Sequence, residues 1–333
     1  MSIFLHKVAR VAGGLILLAA ALILLLVFWP APKFARASPI LSPLSAPVED
    51  GPGCVESSTT RCLSMRDGVV LHGTWFESGS DLTVLLFHGV MSQSSELAAT
   101  AKLLQETVGA NVLNVDLRGH GLSEGKRGDI STIGQYEDDI ADIVTMMRQE
   151  RPSDTLILAG HSMGGGIIMR YAARQTLPQV DAYLLFAPHL GTNAPTSQPR
   201  QTEAAADNEL VKIALPRTIG LALLNTIHVT VFNGLDTLFF NVPADSPLGR
   251  YSYRAMVSTS PDDYQQALTA DSLPLLVVVG QHDEAFLAEE YPNVIQLHEN
   301  GEVAIIANET HDSIVRSAAA FTAIQQWVAA WRP

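Results

Sequence analysis

Residues 155–170 read TLILAGHSMGGGIIMR. The first six are a β-rich apolar run, and residues 163–174 continue as a Gly-rich helical pattern. Gly160-x-Ser162-x-Gly164 therefore falls between a strand and a helix, the context in which G-x-S-x-G lifts a serine hydroxyl off a sharp, strained turn. Glycines two positions to either side let strand and helix approach closely. The five-residue pattern alone is common; at such a junction it marks a nucleophile.

Working outward, short apolar runs alternate with longer helical patterns. Strands are expected at 69–76, 82–88, 111–116, 155–160, 182–187, 275–280 and 303–308, and helices at 95–107, 133–149 and 163–174. Such alternation predicts an α/β fold with a mainly parallel sheet covered on both faces. Continuously apolar cores such as TVLLF and LLVVV suit strands buried on both sides. Between Pro188 and Asp271 the rhythm lapses, and an insertion of that length reads as a cap over about 189–270. Some of its apolar residues (Ile219, Leu221, Leu223, Leu224, Ile227 and Phe240 among them) could line an acyl pocket, the others forming the cap's own core.

A serine hydroxyl needs a base, and the base an orienting carboxylate. With the G-x-S-x-G elbow the chain order is Ser, acid, His. Only His298 and His311 follow any acid at the end of a late strand. His298 precedes the last expected strand and reads as a surface residue, whereas His311 follows that strand by three residues and is the candidate base. Asp283, three residues past Gly280, is the candidate acid, with Glu284 as its fallback; Asp312 is expected to face solvent. The tetrahedral intermediate needs backbone N–H donors. Met163 would supply one and Val90, with Met91 as the alternative, the other.

At these residues the chain resembles a known family. FHG at 87–89, DLRGHGLSEG at 116–125, GHSMGG at 160–165, GQHDE at 280–284 and THDS at 310–313 resemble the α/β-hydrolase superfamily, within it the serine aminopeptidase/monoacylglycerol lipase-like (lysophospholipase) branch. The resemblance covers nearly all of 65–330 and is least specific in the cap. It implies a Ser162–Asp283–His311 triad and a Val90/Met163 oxyanion hole. It also implies that Arg118 and His120 are architectural, and that His88 and His161 support the site rather than react.

The N-terminus is of another kind. The chain has 333 residues and a net charge of −13, yet its first 36 carry +4 and the other 297 carry −17. Residues 1–10 form a basic flank, and 11–29 have no charge and would span roughly 28 Å as a helix, close to a bilayer's apolar thickness. A membrane anchor is expected there. A signal peptide cut near Ala35-Arg36-Ala37 is the competing reading. Residues 30–52, with six prolines, read as an extended linker, and the hydrolase domain as 53–333. The terminal amine tips the charge balance towards an inside N-terminus, placing the domain on the outer (periplasmic or extracellular) side. There Cys54 and Cys62, the only cysteines, could close a disulfide, two free thiols being the alternative.

An acidic chain argues against a nucleic-acid partner. No HExxH, CxxC pair, P-loop or dinucleotide fingerprint occurs, so no metal and no cofactor is expected. The expectation is a membrane-anchored serine hydrolase taking lipid or small carboxylic esters. Acyl transfer, aminopeptidase chemistry on the same triad, and a non-catalytic binding protein are the alternatives.

Overall fold

The computed structural model describes residues 2–34, 54–198, 210–243, 246 and 248–332. Most of the expected linker, with the Ala35–Ala37 site, lies outside them. The first element, α1 (Ser2–Val27), starts earlier and stops sooner than the uncharged run suggests, so Lys7 and Arg10 lie on the helix. Pro30 explains the stop, because a residue before proline is disfavoured in helical geometry.

The main sheet takes β1 (Thr60–Ser64), β2 (Val70–Phe76), β3 (Leu82–Phe87), β4 (Asn111–Val115), β5 (Thr155–His161) and β6 (Ala182–Phe186). After an insertion, β10 (Leu275–Gly280) and β11 (Gly301–Ile306) complete it. Its order is β1-β2-β4-β3-β5-β6-β10-β11. The β1–β2 and β2–β4 pairs are antiparallel, and every later pair is parallel. Parallel crossovers cover both faces, and successive strand residues alternate between them. Leu85, Phe87 and Val277 join Tyr136, Ile140 and Ile167 from α3 (Gln135–Glu150) and α4 (Met163–Ala173). Val84, Leu86 and Val278 join Phe321, Ile324 and Trp327 from α9 (Ala318–Trp331). The expected helix at 95–107 is a 3₁₀ turn (Ser94–Leu97) leading into α2 (Ala98–Leu103) and a wider closing turn. The last strand sits two residues earlier than expected, so His311 follows it by five residues, not three.

The insertion between β6 and β10 carries a second, antiparallel sheet that its sequence did not announce: β7 (Val211–Ile213), β8 (Asp236–Phe240) and β9 (Arg250–Ser252). Around it lie α5 (Leu215–Thr226), α6 (Tyr253–Val257) and α7 (Tyr264–Leu268). Arg254 of α6 forks onto both oxygens of Asp129 at 2.8 Å, tying the insertion to the main body. Burial alone would raise the Asp129 pKa; the guanidinium outweighs it and holds it down to about 2. Leu221, Leu224 and Tyr253 enclose Val27 at the end of α1, and the ring of Phe28 meets that of Phe232 edge-on at 5.5 Å. Leu221 and Leu224 thus belong to the insertion's own core against α1, Ile219, Leu223 and Ile227 face outward, and Phe240 belongs to the main core. At the edge of the main sheet, Cys62 of β1 is joined in a disulfide to Cys54, which precedes the strand.

One glycine sets how closely α4 meets β3. A Cβ on Gly164 would lie 2.4 Å from the Phe87 carbonyl oxygen and 2.8 Å from that of His88. Neither is a side-chain tip that could swing away. Gly164→Ala is expected to cost about 2–4 kcal/mol, read as a fall in the urea midpoint at unchanged slope. An unchanged midpoint would show that helix and strand separate freely.

Candidate active site

Four loops at the carboxyl ends of β3, β5, β10 and β11 meet along one edge of the sheet, where open α/β sheets place their ligands. Ser162 caps the N-terminus of α4 with φ +52° and ψ −112°, a left-handed backbone that a non-glycine residue holds only under constraint. The constraint is visible: its N–H donates to the Phe186 carbonyl (2.9 Å), and its carbonyl accepts from Gly166 (3.1 Å) and His189 (3.0 Å). Met163 is the first helical residue, so its N–H is one of the amides that an α-helix leaves without an internal acceptor.

From the β10 loop, the Asp283 side chain is wholly buried. Its Oδ1 accepts from the Ala285 and Phe286 amides, both at 2.8 Å, which fixes the carboxylate plane. Its Oδ2 then meets His311 Nδ1 at 2.9 Å. That contact assigns the proton to Nδ1 and leaves Nε2 with a lone pair. Glu284, the fallback acid, instead accepts the backbone N–H of His311 at 3.1 Å. Asp312 is exposed, as its neighbouring position implies. The His311 ring lies between those of His161 (centroids 4.7 Å) and Phe286 (5.3 Å), and the His311 carbonyl accepts from His161 Nε2 at 3.0 Å. His161 therefore holds the His311 loop against the serine turn. His298 is no surface residue: it is buried, with Nδ1 on the Leu268 carbonyl (2.8 Å) and Nε2 on that of Leu273 (2.7 Å), pinning the approach to β11.

On the β3 loop the two oxyanion candidates separate. Met91 N–H donates to Tyr251 Oη at 2.8 Å, leaving Val90 as the amide of that loop still to be assigned. Tyr251, on β9, is fully buried and its Oη lies 2.8 Å from His120 Nε2. His120 Nδ1 lies 2.9 Å from the Arg118 carbonyl, so hydrogen bonds run Met91 to Tyr251 to His120 to Arg118. Sequence reasoning missed Tyr251, because nothing near 251 patterns it with the distant β3 loop. Arg118 is buried, forking onto Asp139 (2.6 and 2.8 Å) and reaching Asp67 (2.9 Å), which is architecture. His88 accepts from Leu117 N–H at 3.1 Å and contacts the Gly89 carbonyl at 2.8 Å.

Against known proteins, the family model described as serine aminopeptidase, S33, matches residues 79–229, the segment that runs from before the β3 loop through the serine turn into the insertion. The fold is that of an α/β-hydrolase, and the match supports the serine aminopeptidase and monoacylglycerol lipase-like branch. This α/β-hydrolase is 34% identical to a monoacylglycerol lipase of Mycolicibacterium smegmatis over 27% of this chain and 32% of that one. It is 30% identical to the human monoglyceride lipase over 42% of this chain and 44% of the relative. The matched segments thus span less than half of either relative. The structure of the Paleococcus ferrophilus monoacylglycerol lipase superposes with a TM-score of 0.56 at 18% identity, covering 78% of this chain and 98% of that one; at that identity the likeness shows the fold.

The imidazoles around the site should make the protein less stable in acid. Burial drives the pKa of both His120 and His161 down to about 3, and lowers that of His88 too. A histidine whose folded pKa lies below its unfolded value stabilises the fold fully above about pH 6.5 and loses that contribution as pH falls below it. His120 and His161 together should cost on the order of 3 kcal/mol between pH 6.5 and 5. Urea unfolding at pH 7, 6 and 5 checks this, and a flat stability across that range would contradict it.

Proposed function

We propose that the chain is a membrane-tethered serine hydrolase that cleaves carboxylic esters of monoacylglycerol or lysophospholipid type through an acyl-enzyme. The observation that carries this reading is the Asp283–His311 hydrogen bond beside a serine held in a strained strand-to-helix turn.

Ser162 Oγ attacks the ester carbonyl as His311 Nε2 takes its proton. The Val90 and Met163 amides receive the developing oxyanion. The imidazolium, steadied by Asp283, returns the proton to the departing alkoxide, leaving Ser162 acylated. Water, deprotonated by the same Nε2, attacks the acyl carbon; the fatty acid leaves and Ser162 regains its proton. The names of the relatives support a lipid ester as substrate. An aminopeptidase would need a free carboxylate for the substrate amine, here in the apolar stretch 210–242. Asp236, the one acidic residue over 210–242, is paired with Arg250 at 3.6 Å.

The stretch Arg10–Val27 of α1 is long and apolar enough to cross a bilayer, and almost all of it is exposed. That supports anchoring. The disulfide supports an oxidising compartment and hence the outer side. A fluorophosphonate probe should label folded protein at Ser162 alone, with turnover of glycerol and p-nitrophenyl esters of varied chain length following. Folded protein that takes no label would overturn the assignment.

A further inference from the structure

The end of α1 does more than lead into the domain. Ile23 and Val27 pack into the cluster of Leu221, Leu224 and Tyr253. The approach is close because residue 220 is glycine: a Cβ there would lie 2.8 Å from the Val27 nitrogen and 3.0 Å from Leu26 Cβ. Arg217 closes the joint by donating to the carbonyls of Val27 (3.2 Å) and Trp29 (2.8 Å), acceptors that a helix end leaves open. A leader destined for removal would need none of these contacts.

The joint fixes the height of α5. Ile23 and Val27 both belong to the apolar stretch, and at 1.5 Å per residue Ile23 lies roughly 6 Å deeper along the helix. Whatever packs on both therefore sits at the depth where headgroups give way to acyl chains. The outward edge of α5 is suited to that place. Leu215, Ile219, Leu223 and Ile227 recur every fourth residue and are 41%, 45%, 42% and 63% exposed, with Val231 beyond them at 78%. No charged residue occurs between Arg217 and Asp236. Phe28 and Trp29, also exposed, stand beside this edge as interfacial aromatics would.

We infer that this edge, running from Leu215 on α5 to Val231 in the turn that follows it, is seated in the headgroup–acyl boundary of the leaflet from which α1 emerges. The insertion thus lies on the bilayer rather than on a flexible tether above it. The inference rests on reading α1 as a span. A single site would then draw acyl esters from the lipid phase.

The test uses the full chain in phosphatidylcholine vesicles, with its native disulfide intact. Leu223→Cys, Ile227→Cys and, as a remote control on α9, Gln326→Cys each carry an environment-sensitive fluorophore; all three sites are exposed, so labelling disturbs no packing. Labels at 223 and 227 should emit to the blue of the control. They should be quenched by lipid bearing a shallow nitroxide and be protected several-fold from aqueous iodide. Protein that resists carbonate extraction while those labels stay open to iodide overturns the seating alone. So does protection from iodide without quenching by nitroxide lipid, since another protein surface would then cover the edge. Release by carbonate overturns the span itself and the seating with it.

Discussion

Ser162→Ala is expected to lower kcat/KM for ester substrates by about 10⁴- to 10⁶-fold while the protein stays folded, by analogy with nucleophile deletions in serine proteases. The size of the effect follows from the chemistry: every later step needs the acyl bond to Oγ, and no other hydroxyl stands on this turn. The fold should not notice, because alanine adds no atoms and the turn is held by backbone bonds of residue 162 and not by its hydroxyl. The urea midpoint should therefore remain close to that of the parent protein, and fluorophosphonate labelling should vanish. A variant that stays folded and retains more than a hundredth of the activity would remove Ser162 from the mechanism.

Asp283→Asn probes a different link and should cost about 10⁴-fold in kcat with little change in KM, as the loss of the correct tautomer does in other triads. Asparagine is nearly isosteric, and its carbonyl oxygen can still accept from Ala285 and Phe286. Its NH₂ group then points at His311 Nδ1, which must become an acceptor. The ring proton moves to Nε2 and blocks the position that should deprotonate Ser162. Glu284→Gln is the matched control: that carboxylate holds only the His311 backbone amide, so its loss should cost less than about tenfold. Reversal of the two effects would reassign the acid.

The candidate site was legible from sequence because each of its residues follows a strand end with strong local punctuation. Gly160 and Gly164 bracket the serine, Gly280 precedes Asp283, and the chain order singles out His311. The parallel sheet was legible for the same reason, its strands being continuously apolar. What escaped depends on contacts between distant segments. His298 read as a surface residue because nothing in its own stretch reveals the Leu268 and Leu273 carbonyls waiting for its ring. The β7–β9 sheet escaped because its strands are short, two of them only three residues long, and sit among helical patterns. The apolar residues of α5 read alike from sequence. Only the packing of α1 divides them into an inward pair, Leu221 and Leu224, and an outward edge.

Tyr251 carries a consequence of its own. Its hydroxyl is shared between the insertion, through β9, and the loop that presents Val90, through the Met91 amide. A bond common to two parts makes their order reciprocal: whatever steadies the insertion steadies the loop by the same free energy, and the converse holds. The order of the insertion and the order of the loop that carries the Val90 amide are then two readings of one equilibrium.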